Sequence, residues 1–227
     1  CSAMQVLVFT TDQQGETIAS LVSNVKDFAA KNDSDKLEFK LATGNVGVMA
    51  ATNEAVDEAR WEMNFAIFGA LLVMCMVTFR SLRATLCILI PLAIVSVLCE
   101  ALMPILGIGL KVSTLPVIAL GVGVGVDYGI YLYDRIEAHL EEGRTLAASF
   151  FEALKERGTA MVFTAVTMTI GVGTWAMSAL KFQADMGILL AFMFFLNALG
   201  AIFLLPALAA FLVKAHPAQV AEADKPA

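Results

Sequence analysis

Asp127 is where chemistry in this chain has to be sought first. It lies in the inner half of LPVIALGVGVGVDYGIYLY, residues 115–133, an apolar stretch long enough to cross a membrane. Ionising a carboxylic acid at that depth costs several kcal/mol, so a single Asp there is by default a functional candidate, and the chemistry it offers is reversible proton binding. The plainer alternative is a structural acid paired with a buried donor. Tyr128 adjoins it and projects about 100° away around a helix. Its phenol can join a proton relay, or its ring can simply pack. Gly123, one turn before Asp127 on the same side, leaves room for water or a partner group. Gly121, Gly125 and Gly129 recur every fourth residue along one side, where a second helix can approach closely.

A second polar feature lies further along. Thr164, Thr167, Gly171, Thr174 and Ser178 fall within about 80° of one another on a helical wheel. Small polar residues aid close packing, and Thr can bond its own backbone. The sharper alternative is that the stripe faces Asp127 and lines a hydrated proton path, since hydroxyls both donate and accept. Glu100 lies in an apolar run nearer the end of its span and can snorkel to the interface. Asn197 reads as an interhelical hydrogen-bonding residue. GVGVGVDYG lacks GxGxxG spacing and sits within an apolar span, so it is not a dinucleotide loop. Cys75, Cys87 and Cys99 show no metal-ligand spacing and read as small buried residues, and His139 and His216, in surface segments, receive no role. With no nucleophile–base pair and no metal-ligand pattern, an enzyme is disfavoured and neither cofactor nor metal is expected.

The elements that must position these residues follow from composition. A chain of 227 residues with 59% hydrophobic content and a mean hydropathy of +0.76 is too apolar for a soluble domain. It reads as a mainly α-helical integral membrane protein. The net charge of -6 comes with no basic patch, which argues against nucleic acid as a partner. Five spans are expected near residues 63–79, 84–106, 112–133, 159–180 and 186–213. Arg80, Arg83, Arg135, Arg144, Lys155, Arg157 and Lys214 fall on one side, against Lys111 and Lys181 in the short loops opposite. The positive-inside rule makes the richer side cytoplasmic. Residues 134–157 suggest a cytoplasmic amphipathic helix broken near Gly143, and residues 214–227 a disordered cytoplasmic tail.

The soluble block, residues 1–58, reads as a small extracytoplasmic β-α-β segment: strands at 5–9 and 37–41 around a helix at 16–30, then helical sequence leading into Trp61. It could bury only a small core, and the chain opens directly in strand-like sequence without an initiator Met. Both features suggest a piece of a longer protein.

GVGVGVDYGIYLYDRIEAHLEEG, followed by ALKERGTAMVFTAVTMTIGVGTWAMS, resembles the second membrane half of the resistance-nodulation-division superfamily of proton-driven exporters. The likeness is greatest to the lipid-exporting branch that includes the mycobacterial membrane protein large (MMPL) group and hopanoid transporters. It extends over about residues 44–213, and residues 1–58 would be the end of a porter domain. The resemblance implies that the five spans are the last five of twelve. It also implies an N-terminal half bearing a second Asp-Tyr pair, with Asp127 as proton carrier, Tyr128 as relay partner and the Gly stripe packed against that other half. The implied function is proton-motive export of hydrophobic or lipid-like molecules from a bacterial inner membrane, with membrane lipid and protons as partners and a homo-oligomer possible. Two rivals remain: a lipid-binding membrane module similar to sterol-sensing domains, which does not pump, and a half-size subunit of a two-chain transporter.

Overall fold

The computed structural model describes residues 4, 6, 15–33, 39, 45–109 and 114–212. The helices in chain order are α1 (Gly15–Asn32), α2 (Asn45–Phe79), α3 (Leu82–Ile105), α4 (Leu115–Glu141), α5 (Leu146–Ala153), α6 (Thr159–Gly173), α7 (Lys181–Leu199) and α8 (Leu205–Leu212). A π-helical turn, Leu154–Gly158, joins α5 to α6, and a second, Gly200–Leu204, joins α7 to α8. Five helical rods among the described residues are long and apolar enough to cross a membrane: Ala50–Phe79, Leu82–Ile105, Leu115–Glu141, Leu146–Met177 and Lys181–Leu212.

The chain divides into two compact units, residues 1–61 with 109–112 and residues 62–108 with 113–227. In the first unit, α1 takes the place expected of a helix at 16–30. Lys26 on α1 pairs with Glu54 on α2 at 2.6 Å, and the Phe28 ring meets Phe39 edge-on at 5.2 Å. No strand occurs among the described residues, so the expected α+β character of this block has no support there. Val6 and Phe39 are not in strands, and the rest of the two expected strands lies outside the described residues. The helical sequence leading to Trp61 does not stop before the first span; it continues into it as one helix, α2, which contains no proline.

In the second unit, α3, α4 and α7 form the core. Ile88 on α3, Val117, Ile118, Val122, Leu132 and Ile136 on α4, and Leu189, Leu190 and Met193 on α7 are all but fully buried. The turn from α2 to α3 is tight. Arg80 ends α2 in the left-handed region at φ 49°, and the Ser81 side chain then caps α3 by accepting from the Ala84 N–H at 3.5 Å. Inside α3, Pro91 cannot donate to the helix ladder, and the π turn of the last span is set beside it: a Cβ on Gly200 would lie 3.5 Å from Pro91. At the other end of the fourth rod, a Cβ on Gly187 would fall 2.6 Å from Trp175 Cβ and 2.8 Å from the Val172 carbonyl. This glycine lets the start of α7 lie against the end of the preceding rod.

Residues 134–157, expected as an amphipathic helix broken near Gly143, are shared between the two neighbouring rods. α4 carries on to Glu141, Gly143 turns the chain at φ 84°, and α5 runs through the π turn into α6. A cluster of polar side chains lies where the two rods meet. His139, 8% exposed, has Nδ1 3.2 Å from Glu142 and Nε2 3.3 Å from Glu156, and the Arg135 Nε lies 4.0 Å from the same Glu156. The sequence marked His139 as a surface residue, whereas packing of α4 against α5 and the π turn buries it. Since Gly143 holds a conformation that penalises any Cβ, Gly143→Ala should lower stability by about 1 kcal/mol. Thermal or denaturant unfolding of the purified protein in detergent measures this, and an unchanged midpoint would contradict the assigned role.

Candidate functional site

α4 has two faces, and the residues that drew attention in the sequence are divided between them. On the inner face Gly121, Gly125 and Gly129 are buried. A Cβ on Gly121 would collide with Met193, and one on Gly125 with the Asn197 side chain, both on α7. A Cβ on Gly129 would come within 2.9 Å of Ile88 on α3. The glycine row therefore marks where α3 and α7 lie against the α4 backbone. The expectation that it packs against another half of the protein is corrected: these positions are occupied within the chain.

The approach at Gly125 is polar as well as close. Asn197, 3% exposed, donates from Nδ2 to the Gly121 carbonyl at 2.9 Å. That carbonyl faces Asn197 because Gly125, one turn on, has no side chain to cover it. Asn197 thus has the interhelical role its sequence position suggested.

The opposite face is open. Pro116, Leu120, Gly123, Asp127, Tyr131 and Asp134 are all exposed. At 100° per residue they fall within about 80° of one another. Asp127 is central in this stripe, and nothing in the described protein lies within 4 Å of where a Cβ on Gly123 would be. Tyr128 points the other way. It is 2% exposed, packed with Met161 and Ala165 of α6, Ala198 of α7 and Ala201 of the π turn, and its hydroxyl has no hydrogen-bond partner among the described residues. Adjacent in sequence, the acid and the phenol are separated into surface and interior.

The site is thus an acid on the open face of α4 with a buried tyrosine beside it, on a unit of apolar helical rods. The profile of the MMPL family matches residues 2–225. The chain belongs to the MMPL family. Among its relatives, a Methanocaldococcus jannaschii protein, MJ1562, whose name claims no more than a place in a membrane, is 26% identical over 65% of this chain. A Mycobacterium bovis protein named as a probable transport protein, MmpL8, is 29% identical over 73% of it. The matched stretch spans 38% of the first relative's length and 16% of the second's.

In this MMPL chain the hydroxyl stripe of the fourth rod is on its outside. Thr164, Thr167, Gly171 and Thr174 are exposed, and no atom of the described protein lies within 4 Å of a Cβ position on Gly171. Thr164 donates to the Ala160 carbonyl at 3.0 Å, Thr167 to that of Phe163, and Thr174 to that of Gly171 at 2.7 Å. Ser178 donates to Gln183 at 3.1 Å and accepts from the Leu180 N–H. Their hydroxyls are thus occupied locally, a pattern typical of Thr and Ser in membrane helices. Glu100 is half-buried near the C-terminal end of α3. The sequence reading passed over Asp185, 7% exposed just past the first turn of α7, and Thr169, which faces away from the outer stripe. Thr169 could have been found, because it lies about 140° around the helix from Thr164 and in register with Met161 and Ala165.

The contact of Gly125 with Asn197 yields a coupled prediction. Gly125→Ala should cost roughly 1–3 kcal/mol by overpacking. Asn197→Ala should cost about 0.6–2 kcal/mol by loss of the interhelical bond. The double variant should lose less than the sum, since removing the amide makes room for the methyl. Unfolding midpoints of the four proteins measure the coupling, and strict additivity would refute the contact.

Proposed function

We propose that this chain forms the C-terminal membrane half of a proton-driven transporter, with Asp127 as its proton-carrying group. The observation that carries the proposal is the continuous exposed stripe of α4 with a carboxylic acid at its centre. An acid facing hydrocarbon is costly, and intramembrane acids face a protein interior or a water-filled cavity. The stripe is therefore a seam closed by further helices, which fits the N-terminal half, bearing a second Asp-Tyr pair, that a relationship to proton-driven exporters implies. Gly123 leaves space in that seam for water or for a group from the other side.

The mechanism follows from charge. Protonated, Asp127 is neutral and the seam can pack closely; ionised, it draws water or a cation into the seam. Alternation between the two shifts the packing of the halves and moves the extracytoplasmic part of the protein. One proton crossing 100 mV releases about 2.3 kcal/mol, comparable with the few kcal/mol that separate typical conformers. Tyr128 acts from behind: its buried ring fixes the rotation of α4, and its hydroxyl is the group through which a relay would continue. Thr164, Thr167, Thr174, Ser178 and Gly171 form a second small-residue surface suited to close helix packing or to lining the path.

Membership of the MMPL family and a relative named for transport support the transport reading; the likeness of the GVGVGVDYG and ERG-T segments to lipid exporters points to hydrophobic or lipid-like molecules as substrates. The arginine-rich loops support an orientation with the C-terminus in the cytoplasm, and the likeness to resistance-nodulation-division exporters points to a bacterial inner membrane. The test uses the intact transporter in sealed vesicles, with proton movement followed by a pH-sensitive dye under an imposed gradient. Asp127→Asn should lower proton flux by roughly a hundredfold, the scale on which removal of a proton-transferring group acts, and Asp127→Glu should keep part of it. A normally inserted Asp127→Asn protein with wild-type flux would overturn the proposal.

A further inference from the structure

Among the buried polar atoms of the second unit that have no hydrogen-bond partner among the described residues are three on α4, α6 and α7: the Tyr128 hydroxyl, Thr169 Oγ1 and Asn197 Oδ1. Tyr128 and Asn197 are 2% and 3% exposed. Buried polar groups in native proteins are nearly always paired, so three such atoms on α7 and the two helices packed against it, with the Tyr128 ring reaching α6, point to a ligand that pairs with them.

Their relative depths follow from the helix contacts. Met193 meets Gly121 and Asn197 meets Gly125, which sets α7 alongside α4. Tyr128 is then about one turn beyond the level of Asn197. Gly187 abuts Trp175, and Ala198 and Ala201 cluster with Met161 and Ala165, so α6 runs antiparallel to α7. Counting along α6 from those contacts puts Thr169 about one turn from Asn197 in the other direction. Side chains on helices lean toward the N-terminus of their own helix. Tyr128 therefore leans back toward the level of Gly125, and Thr169, on a helix of opposite sense, leans toward Ala165. Both approach the level of Asn197.

Thr169 supplies an independent sign. Thr164, Thr167 and Thr174 on the same rod donate to carbonyls of their own helix. Thr169 has the same local option and does not take it, which leaves its hydroxyl for a partner across the interface.

We propose that α4, α6 and α7 enclose an internal water-binding site held by Tyr128, Asn197 Oδ1 and Thr169. All three groups are neutral; the two hydroxyls can donate or accept and the amide oxygen accepts, a set that suits water making about three hydrogen bonds. The site is distinct from the seam at Asp127, being on the other side of α4, and it exists whether or not Asp127 carries protons. Where Asp127 does so, the site gives the Tyr128 hydroxyl a hydrated partner inside the unit.

Radiolytic hydroxyl-radical footprinting of the full-length protein in detergent tests this, because bound water converts to radicals in place and labels the side chain it touches. Tyr128 should be oxidised several-fold faster than Tyr133, which is equally inaccessible at 3% exposure. Thr169→Val, which keeps the side-chain shape, should slow labelling of Tyr128 several-fold and leave exposed Tyr131 unchanged. Equal rates at Tyr128 and Tyr133 in the wild-type protein, a comparison that needs no variant, would overturn the proposal. So would a Tyr128 rate unaltered by Thr169→Val in a protein whose Tyr131 rate shows it folded.

Discussion

The bond from Asn197 to the Gly121 carbonyl decides which way Asp127 faces. Lipid tails are as apolar as leucine, so helices in a membrane are not driven together by the hydrophobic effect, and close packing and hydrogen bonds set their rotation instead. Asn197 can reach a backbone carbonyl only where the side chain one turn on is missing, and Gly125 provides that place. With Gly121 and Gly125 committed to α7 and Gly129 to Ile88 of α3, the rotation of α4 is fixed. Tyr128 is carried inward and Asp127 outward. Replacing these glycines with larger residues would turn or displace α4, and the acid would lose its defined direction.

That direction is what gives Asp127 its meaning. An acid turned into the core of the unit would read as a structural group waiting for a donor. At the centre of an exposed stripe on a membrane helix it requires a cover that is not lipid. The stripe has features expected of a protein seam, with Leu120 and Tyr131 for packing and Gly123 for close approach. Contacts of His139 with Glu142 and Glu156, and of Arg135 with Glu156, hold the same helix beyond its apolar stretch.

Much of this was legible in the sequence, and what was not has physical reasons. The five spans follow from length and apolarity, and Asn197 from the cost of an unpaired amide in an apolar run. Helical sequence beside the first and third spans was legible too, but hydropathy locates the membrane and not the helix, so it did not show that α2 and α4 each run unbroken between charged sequence and the apolar stretch. The Gly row was recognised as a packing surface but given the wrong partner, since spacing shows that a backbone can be approached closely without saying by which helix. The outer hydroxyl stripe was conspicuous because five residues align on it, while Thr169, alone on the opposite face, mattered only once α6 was placed against α7. The division of Asp127 from Tyr128 was implicit in the 100° between them; which of the two is buried depends on the glycines.

The central claim is that Asp127 exchanges a proton within a seam of the intact protein. Modification by dicyclohexylcarbodiimide, an apolar reagent that attacks protonated carboxyl groups, tests it most directly, with the modified peptide identified by mass spectrometry. The account expects Asp127 to be modified in native membranes, with modification falling as pH is raised and protection when the transporter is working under an imposed proton gradient. A carboxyl that is never modified, or one modified equally at every pH and in every state, would contradict it.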